Sequence, residues 1–400
     1  MESGQVASKL CRRCKENEAT LKVRSEAICG SCFHRYVNTK TVKRLEKLSA
    51  EIRAAPTQTK RLLVGLSFGP SSAALVDILN DQIQFHLKKR SSAAFEGVAV
   101  HVDNDLSAKP SGEDDSPLSQ KLLNGFAARY PRFTFLRLPL SAVLELETID
   151  WAALPVVPSG EPGEGASKRL RDFFDRLPST TSKSDMLRLF IRHILISTAL
   201  KEDCRALILG CSTTALAELT LGETAKGRGF SLPWMVGDGP ITIQRFSALE
   251  QNQVGSPSHE EDRVPMDTTQ LSIYYPNREL FRNELVRYTT LVEPPLTDLI
   301  PNDDAIASNA VVSLRDVSID EVMTRYFTDV EEKYPSIVAN VVRTTAKLER
   351  TSSKEEERCC GLCGMGLDTL GDQRWKGEMG DDGNDGEERL CYACLRTSRG

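Results

Sequence analysis

The sequence predicts an α/β protein, a doubly wound parallel sheet with a zinc-knuckle module at each end. Three observations support this fold class: short apolar runs alternate with longer helical stretches, the runs lack a polar alternation, and most cysteines lie in Cys-x-x-Cys pairs near the two ends of the sequence. Parallel strands are covered on both faces, which makes their sequences apolar throughout. The 400 residues suffice for one substantial domain and smaller modules.

The first strand of the body is predicted within residues 61–80. An apolar run at 62–66 leads into a small-residue loop at 67–72, and apolar residues then recur at helical spacing to about residue 89. Such a loop points backbone N–H groups and the positive end of a helix dipole at one spot, which suits a phosphate. The candidate nucleotide-binding residues are Ser67, Gly69, Ser71 and Ser72. An ordinary Gly/Ser turn between strand and helix is the alternative.

The same alternation of strand and helix continues along the body. Further strands are predicted at 96–103, 133–138, 205–210 and 241–246. Further helices are predicted at 118–130, at 169–177, from just after Ser184 and Asp185 to about Leu200, and within 271–290 and 319–348. Polar or Pro/Gly/Ser-rich insertions at about 104–117, 155–168 and 251–270 are predicted to be disordered.

Three units are therefore expected: an N-terminal four-cysteine module with a basic helix at 1–55, the α/β domain at 56–350, and a four-cysteine tail at 351–400. The net charge of −5 is unevenly spread, because residues 1–60 contain 13 Lys/Arg and 6 Asp/Glu. A basic module on an acidic body indicates a polyanionic partner. No signal peptide or membrane span is predicted, since the most apolar stretch, at 186–200, contains three basic side chains.

Four cysteines near the start have the spacing of a zinc site. Cys11 and Cys14 form one Cys-x-x-Cys pair, and Cys29 and Cys32 form a second, with 14 residues between the pairs. Two such turns close a tetrahedral shell of sulfurs around zinc. A pair of redox-active dithiols is the less favoured interpretation.

Basic residues cluster around this module and are candidates for RNA binding. A basic helix with aromatic residues beside a zinc knuckle is suited to gripping an RNA backbone. A charged helix whose aromatic residues Phe33 and Tyr36 pack on the zinc module is an equally open alternative. The RNA-binding candidates are Arg12, Arg13, Arg35, Lys40, Lys43 and Arg44, together with Arg228 from a glycine-flanked loop further along the chain.

A second metal site is predicted in the tail. Its ligands are Cys360, Cys363, Cys391 and Cys394, with 27 residues between the two pairs. A long insertion between pairs adds little closure entropy. Cys359 is a fifth thiol of undetermined role, and the spacing does not separate zinc from an iron–sulfur cluster.

The loop at 67–72 resembles the pyrophosphate loop of the ATP-dependent tRNA-thiolating and amidotransferase families, which have an adenine nucleotide alpha-hydrolase-like fold. Their pattern is Ser-Gly-Gly-x-Asp-Ser, whereas this chain has Phe68 at the first glycine and Ser71 at the acidic position. A second segment, at 210–218, resembles Gly-His-Asn-x-Asp-Asp-x-Ala-Glu of the catalytic relatives. Here Thr213 and Thr214 stand in that segment without the histidine or the acidic pair, and hydroxyls cannot hold magnesium as carboxylates do.

Taken in order, these motifs resemble the cytoplasmic tRNA 2-thiolation protein 2 family over most of the chain. The resemblance implies a cytoplasmic, heterodimeric complex that thiolates wobble uridine in tRNAs for Lys, Glu and Gln, with a link to urmylation. It also implies a catalytic sister subunit that binds ATP and magnesium, and sulfur delivered by a thiocarboxylated ubiquitin-related modifier. This chain is then expected to be the non-catalytic, tRNA-binding half, with two zinc sites and no catalytic residue.

Two other functions stay open from the sequence. One is an ATP-dependent tRNA sulfurtransferase in which Ser71 and backbone donors hold the phosphates and Cys204 or Cys211 carries sulfur. The other is a zinc-ribbon adaptor that binds proteins and no RNA. Binding of nucleotide by the isolated chain favours the first, and salt-dependent tRNA binding counts against the second.

Overall fold

The computed structural model describes residues 10–54, 60–90, 93–106, 117–158, 164–246, 267–301, 317–350, 359–367 and 389–399. The strands are β1 Leu21–Val23, β2 Glu26–Ile28, β3 Arg61–Gly65, β4 Glu96–Asp103, β5 Phe133–Pro139, β6 Ala206–Leu209, β7 Gly239–Arg245 and β8 Asp267–Tyr274. The helices are α1 Gly30–Arg44, α2 Glu46–Ala54, α3 Pro70–Arg90, α4 Leu118–Arg129, α5 Ala166–Asp175, α6 Thr180–Lys201, α7 Thr213–Ala225, α8 Leu232–Val236, α9 Arg282–Leu291, α10 Ile319–Lys333, α11 Pro335–Thr345 and α12 Tyr392–Arg399.

The body is built on a six-stranded sheet in the order β5-β4-β3-β6-β8-β7. The neighbours from β5 to β8 pair in parallel, and β7 pairs antiparallel at the edge. The order reverses between β3 and β6, so the carboxyl ends of these two strands flank a topological switch point, where open α/β sheets place ligands. The predicted doubly wound α/β fold is confirmed.

Alternate residues of the central strand face two different helix layers, as its continuous apolar sequence requires. Leu63 packs into a core formed with α5, α6, α7, α10 and α11. Leu62 and Val64 pack into a second core formed with α1, α3, α4 and α9. Both faces of the sheet are therefore covered.

The two cysteine-rich modules lie on opposite faces of this sheet. Cys11 and Cys29 belong to the core on the face of α3 and α9, whereas Cys360, Cys363 and Cys394 belong to the core on the face of α6. Each module thus packs against the body, and the division into three units stays a prediction. Among the described residues, no helix combines the length and hydropathy needed to span a membrane.

Residues 267–274 correct the prediction for this part of the chain. They form β8, where a polar disordered insertion and then a helix were expected. The first half of β8 pairs only with β7, because β6 joins the ladder from Ser272 onward. Backbone pairing with β7 holds the polar start of this strand, which needs no apolar pattern there. The insertion residues 107–116, 159–163 and 251–266 lie outside the described residues.

The long helix α6 begins earlier than predicted. Ser179 caps its first turn by accepting a hydrogen bond from the Ser182 N–H group at 3.0 Å, in the manner favoured for serine at this position. Ser184 and Asp185 consequently lie inside the helix. This shift places Asp185 on a buried face, close to the C-terminal cysteines.

Candidate functional site

The loop after β3 has the position of a phosphate loop, and Phe68 stands where that loop has its first glycine. Phe68 adopts a positive φ of 61°, a conformation that favours glycine. Its side chain is buried in the core on the face of α3 and α4, and its ring lies tilted against His101 at a centroid distance of 4.2 Å and against Phe126 at 5.8 Å. Burial is also the main reason why the pKa of His101 is lowered. A packed side chain therefore holds the loop at this position.

Two backbone N–H groups of this loop are hydrogen-bonded within the loop itself. Ser72 Oγ accepts from the Ser67 N–H group at 3.2 Å and donates to the Gly69 carbonyl at 3.0 Å. The Gly69 N–H group donates to Ser67 Oγ at 3.3 Å. From outside the loop, Asn277 Nδ2 donates to the Ser71 carbonyl at 3.1 Å. Binding a phosphate through Ser67 and Gly69 would require these bonds to break.

The second segment approaches the same loop from β6. A Cβ atom on Gly210 would lie 2.8 Å from the Ser71 carbonyl oxygen, so only glycine allows this approach. Thr213 and Thr214 then open α7 with their side chains buried. Thr213 donates to the Arg278 carbonyl at 2.8 Å, and Thr214 donates to Glu331. Both hydroxyls are thereby committed to structural contacts.

The N-terminal cysteines converge as predicted. The sulfurs of Cys11, Cys14, Cys29 and Cys32 all lie within 4.8 Å of one another. The first pair sits on a turn closed by the hydrogen bond from the Lys15 N–H group to the Cys11 carbonyl, and the second pair spans the start of α1. Burial alone would raise the pKa of Cys11, but backbone N–H groups of Cys14, Cys29 and Arg13 lower it to about 6. The β1–β2 hairpin brings the two pairs together.

A basic pocket of about 540 Å³ opens beside this centre. Its wall includes the two partly exposed cysteines of the centre, Cys14 and Cys32. Five cationic side chains line it: Arg13, Arg35, Lys40, Lys43 and Arg44. Of the six predicted tRNA-binding residues of this module, these five are brought together, and Arg12 is exposed on the adjacent turn.

The pocket cations differ in their partners. Arg13 pairs with Glu26 at 2.9 Å, and Glu279 pairs with both Lys40 at 2.7 Å and Arg44 at 2.8 Å. Arg35 and Lys43 are exposed, and within the described part of the chain no ion pair engages them. These two side chains are the ones most available to an anionic ligand.

The C-terminal cysteines also converge, but in the interior. The sulfurs of Cys360, Cys363, Cys391 and Cys394 lie within 4.8 Å of one another. The Cys391 N–H group donates to Cys360 Sγ at 3.3 Å. Two backbone hydrogen bonds anchor the first knuckle, from the Asp150 N–H group to the Gly361 carbonyl and from the Gly361 N–H group to the Arg389 carbonyl, both at 2.8 Å.

Arg228 lies against this centre and is wholly buried. Its guanidinium spans both oxygens of Asp185, at 2.9 and 2.6 Å, and donates to Glu223 at 3.0 Å and to Cys394 Sγ at 3.3 Å. The prediction that Arg228 contacts tRNA is therefore wrong, because the side chain is enclosed and its charge is matched internally. The sequence shows that Arg228 lies in a glycine-flanked loop, but it does not show that α12 packs against this side chain.

Burial and charge act in opposite directions on these groups. Burial would raise the pKa of Cys394, but thiol hydrogen bonds from Cys360 and Cys363 and the charge of Arg228 lower it. For Asp185, burial is likewise outweighed by the charges of Arg228 and Arg188, so the pKa of its carboxyl lies well below its usual range. The neighbouring charges and hydrogen bonds therefore favour the ionised forms of Cys394 and Asp185 despite their burial.

Both four-cysteine groups fit a single tetrahedral metal ion. Metal–sulfur bonds of about 2.3 Å imply sulfur–sulfur edges of about 3.8 Å. Cys14 and Cys29 are 3.8 Å apart at sulfur, and Cys363 and Cys391 are 3.9 Å apart. A cubane iron–sulfur cluster holds each cysteine sulfur outside a different iron, which requires wider spacing. The donor set and its dimensions consequently suit a mononuclear site.

Cys204 and Cys211 are the candidate sulfur carriers of this chain. Burial raises the pKa of both the Cys204 and the Cys211 thiol to about 11. The thiolate is the nucleophile in sulfur transfer, and a pKa this high keeps both groups protonated near neutral pH. Neither lies in a four-cysteine group.

The functional residues that sequence reasoning missed are mostly acidic partners. Asp185 and Glu223 are wholly buried, and Glu279 joins the basic pocket to the body. A carboxylate inside an apolar helical stretch was a visible signal for Asp185, since such groups are rarely buried unpaired. Its partner Arg228 lies 43 residues away, and no sequence pattern indicated this pairing.

Comparison with known proteins identifies related sequences. The model of a family described as cytoplasmic tRNA 2-thiolation protein 2 matches residues 318–385. Proteins of that description are similar to this chain over nearly its full length. The one from Phaeosphaeria nodorum is 34% identical over 99% of this chain and 96% of its own, and the one from Pyrenophora tritici-repentis is 33% identical over 97% and 94%.

Among solved structures, the chain resembles the U34-tRNA thiolase NcsA from Methanococcus maripaludis, which was determined with its 4Fe–4S cluster. The TM-score is 0.51 at 14% sequence identity, and the match covers 90% of this chain and 93% of the thiolase. At this identity the likeness shows a shared fold.

Proposed function

This chain belongs to the cytoplasmic tRNA 2-thiolation protein 2 family, and from that premise we propose that it is the non-catalytic subunit of a cytoplasmic complex that thiolates wobble uridine. The substrates are the tRNAs for Lys, Glu and Gln. Family membership supports the role in thiolation, and the packed loop at 67–72 supports the division of labour. The chain grips tRNA and completes the complex, while another subunit performs the chemistry.

The observation that carries this proposal is the ring of Phe68 in the phosphate loop. Replacing the uridine oxygen by sulfur requires that the oxygen first become a leaving group, and adenylation by ATP achieves this. A pyrophosphate loop must offer free N–H groups and room for the phosphates. Here Phe68 replaces a glycine and is buried, and the N–H groups of Ser67 and Gly69 already donate to loop hydroxyls. These features support the proposal that this chain does not activate ATP.

Thr213 and Thr214 support the same proposal for magnesium. Magnesium prefers carboxylate and phosphate oxygens in octahedral geometry. Thr213 and Thr214 present buried hydroxyls that donate to a carbonyl and a carboxylate of the chain. We assign ATP and magnesium to a catalytic sister subunit with an intact loop, and sulfur to a thiocarboxylated ubiquitin-related modifier, which links the complex to urmylation.

The tRNA-binding surface in this proposal is the basic pocket of the N-terminal module. Phosphate contacts by Arg and Lys supply the sequence-independent part of RNA affinity. Of the five cations that line the pocket, Arg35 and Lys43 have no carboxylate partner among the described residues. Arg13 lies over the Tyr36 ring at 4.8 Å, which holds its guanidinium at the pocket wall. The pocket volume of about 540 Å³ accommodates a nucleotide-sized group.

Zinc is the metal we propose for both four-cysteine groups. Four thiolates with tetrahedral spacing are typical of structural zinc sites, and the measured sulfur separations of 3.8 and 3.9 Å match that geometry. Zinc has no redox chemistry, so its contribution at both sites is to hold chain segments together.

Reconstituted thiolation tests the proposed function. This chain, the catalytic sister subunit and the two together are incubated with wobble-uridine tRNA, ATP, magnesium and the thiocarboxylated modifier, and 2-thiouridine is read by retardation on a mercury gel. We expect product from the mixture, and the same yield when this chain carries Ser71→Ala, Cys204→Ser and Cys211→Ser. Product from this chain alone would make it a sulfurtransferase in its own right.

Two binding measurements separate the remaining alternatives. Isothermal titration of the isolated chain with ATP and magnesium is expected to give no heat of binding, and binding would favour an active nucleotide site. A mobility shift with tRNA at several salt concentrations is expected to show steep salt dependence. Absence of any tRNA binding, with thiolation by the sister subunit unaffected by this chain, would indicate a protein-binding adaptor instead.

A further inference from the structure

The C-terminal four-cysteine group has an arginine hydrogen-bonded to one of its sulfurs. Arg228 donates to Cys394 Sγ at 3.3 Å while both of its terminal nitrogens also contact carboxylates. Its side chain has no exposure to solvent. In the described part of the N-terminal module, the corresponding side-chain donor is the neutral amide of Asn17, 3.9 Å from Cys29 Sγ. The two centres thus differ in the charge placed beside their sulfurs.

Arg228 belongs to a network of three cations and three carboxylates. Asp185 and Glu223 are the wholly buried carboxylates, and each contacts Arg228, Lys226 and Arg188. Asp320, which is partly exposed like Arg188, pairs with Lys226. The member of this network that contacts a sulfur is Arg228. The network consequently presents a cation to the four-cysteine group.

A four-thiolate site needs such a charge in the interior. Four thiolates around a divalent cation carry two net negative charges, and burying uncompensated charge is costly. Hydrogen bonds to ligand sulfurs also orient the ligands and adjust their donor strength. Arg228 supplies both effects at once, because its bidentate pair with Asp185 fixes the plane of the guanidinium.

The same carboxylate also holds the helix that carries the ligand. Asp185 Oδ2 accepts from Thr397 Oγ1 at 2.9 Å, one turn after Cys394 in α12. Gly227 lets that helix approach, since a Cβ atom there would lie 2.7 Å from the Tyr392 ring. The position of Cys394 relative to Arg228 is therefore set by two contacts to one buried side chain.

We propose that Arg228 is a positioning residue of the C-terminal metal centre, which orients Cys394 and balances the charge of the four thiolates when a divalent metal is bound. The proposal concerns the metal affinity of this chain and holds whether or not the chain acts in tRNA thiolation. It makes the buried centre dependent on the network of Asp185 and Glu223, and the exposed centre independent of it.

Cobalt binding by the full chain tests this proposal. The parent carries Cys11→Ser and Cys14→Ser, so that one metal binds per chain, and Co²⁺ is followed by its sulfur-to-cobalt charge-transfer band in competition with a chelator. We expect Arg228→Met to weaken Co²⁺ binding by roughly 10- to 100-fold, the usual effect of losing a partner of a metal ligand, and to shift the band. Arg228→Lys keeps the charge and should restore part of the affinity.

Arg188→Met is the matched comparison, because Arg188 contacts Asp185 and Glu223 and, within the part of the chain that the structure describes, hydrogen-bonds to no sulfur. We expect it to leave the band in place and to cost less affinity than Arg228→Met. Unchanged affinity and band in Arg228→Met, or an equal loss and shift in Arg188→Met, would overturn the proposal. If Arg228→Met is insoluble, Arg228→Lys decides: a shifted band with weaker binding supports the proposal, and an unchanged band overturns it.

Discussion

The two four-cysteine centres of this chain have the same ligands and differ in exposure. In the N-terminal centre, Cys11 and Cys29 are buried, whereas Cys14 and Cys32 are partly exposed and form part of the wall of a basic pocket. In the C-terminal centre, Cys360, Cys363 and Cys394 are buried in a hydrophobic core shared with α6.

This difference indicates that one motif serves two purposes. The exposed centre holds a small hairpin and a basic helix in place, where they present cations to solvent. The buried centre joins the last helix to the body through an apolar core and a charge network. We infer that the first centre serves ligand binding and the second serves the stability of the whole chain.

The largest expected effect is a difference in how much each centre contributes to the stability of the whole chain. Cys394→Ser should remove a metal ligand within the core and lower the free energy of unfolding of the whole chain by several kcal/mol, because metal binding energy at a structural site is folding energy. Cys32→Ser should loosen the N-terminal module alone and leave the main thermal transition of the body in place. Differential scanning calorimetry with hydrogen exchange measures both.

An equal loss of the main transition in the two variants would contradict this separation. Chelator treatment of the unsubstituted chain provides a check, because it should expose amides of α12 and α1 to exchange at different chelator concentrations.

The next effect concerns tRNA affinity. Arg35→Glu with Lys43→Glu should weaken tRNA binding by tenfold or more and reduce the slope of log affinity against log salt by about one to two, since each phosphate contact contributes about 0.7–0.9 to that slope. Lys201→Glu with Lys347→Glu, two exposed positions on the body, is the control with the same charge change. Equal losses in the two pairs would indicate a general charge effect and no specific role for the pocket.

The smallest effect concerns the contact between the pocket and the body. Burial alone would raise the pKa of Glu279, but Lys40 and Arg44 outweigh it and lower the pKa below the ordinary 4.5. A carboxyl with a lowered pKa stabilises the fold above its unfolded pKa and loses this contribution as the pH falls through its folded pKa.

Glu279→Gln should therefore cost up to about 1 kcal/mol of stability at pH 7, the size usual for partly exposed ion pairs. This difference from the parent should shrink as the pH falls below about 4.5. The freed lysine and arginine should at the same time raise tRNA affinity slightly. Urea unfolding across pH checks the first outcome, and a stability difference that persists in acid would assign it to packing.

The sequence predicted the parts of this molecule that depend on local patterns. Continuous apolar runs identified the central strands β3 and β6, because strands buried on both faces have few polar positions, and mainly apolar runs identified β4 and the edge strand β5. The Cys-x-x-Cys turns identified both metal sites, since each turn sets the distance between its sulfurs. The small-residue loop before α3 was visible for the same reason.

Features that depend on long-range packing were not predictable. The polar start of β8 is held by pairing with β7, and no apolar pattern marks it. Arg228 was assigned to RNA because it lies between glycines, whereas its partners are 43 residues before it and 166 residues after it. The altered phosphate loop was predictable only in part. The sequence shows Phe68 at a glycine position, and the structure adds the packing of its ring on His101.

The claim that the exposed centre faces RNA and the buried centre supports the fold is tested most directly by residue-resolved cysteine alkylation of the full chain, read by mass spectrometry with and without tRNA. We predict that Cys14 and Cys32 react first and that tRNA slows them. Cys360, Cys363 and Cys394 should react only when the body unfolds, with or without tRNA. Early reaction of the C-terminal cysteines, or tRNA binding that leaves Cys14 and Cys32 unprotected, would contradict the account.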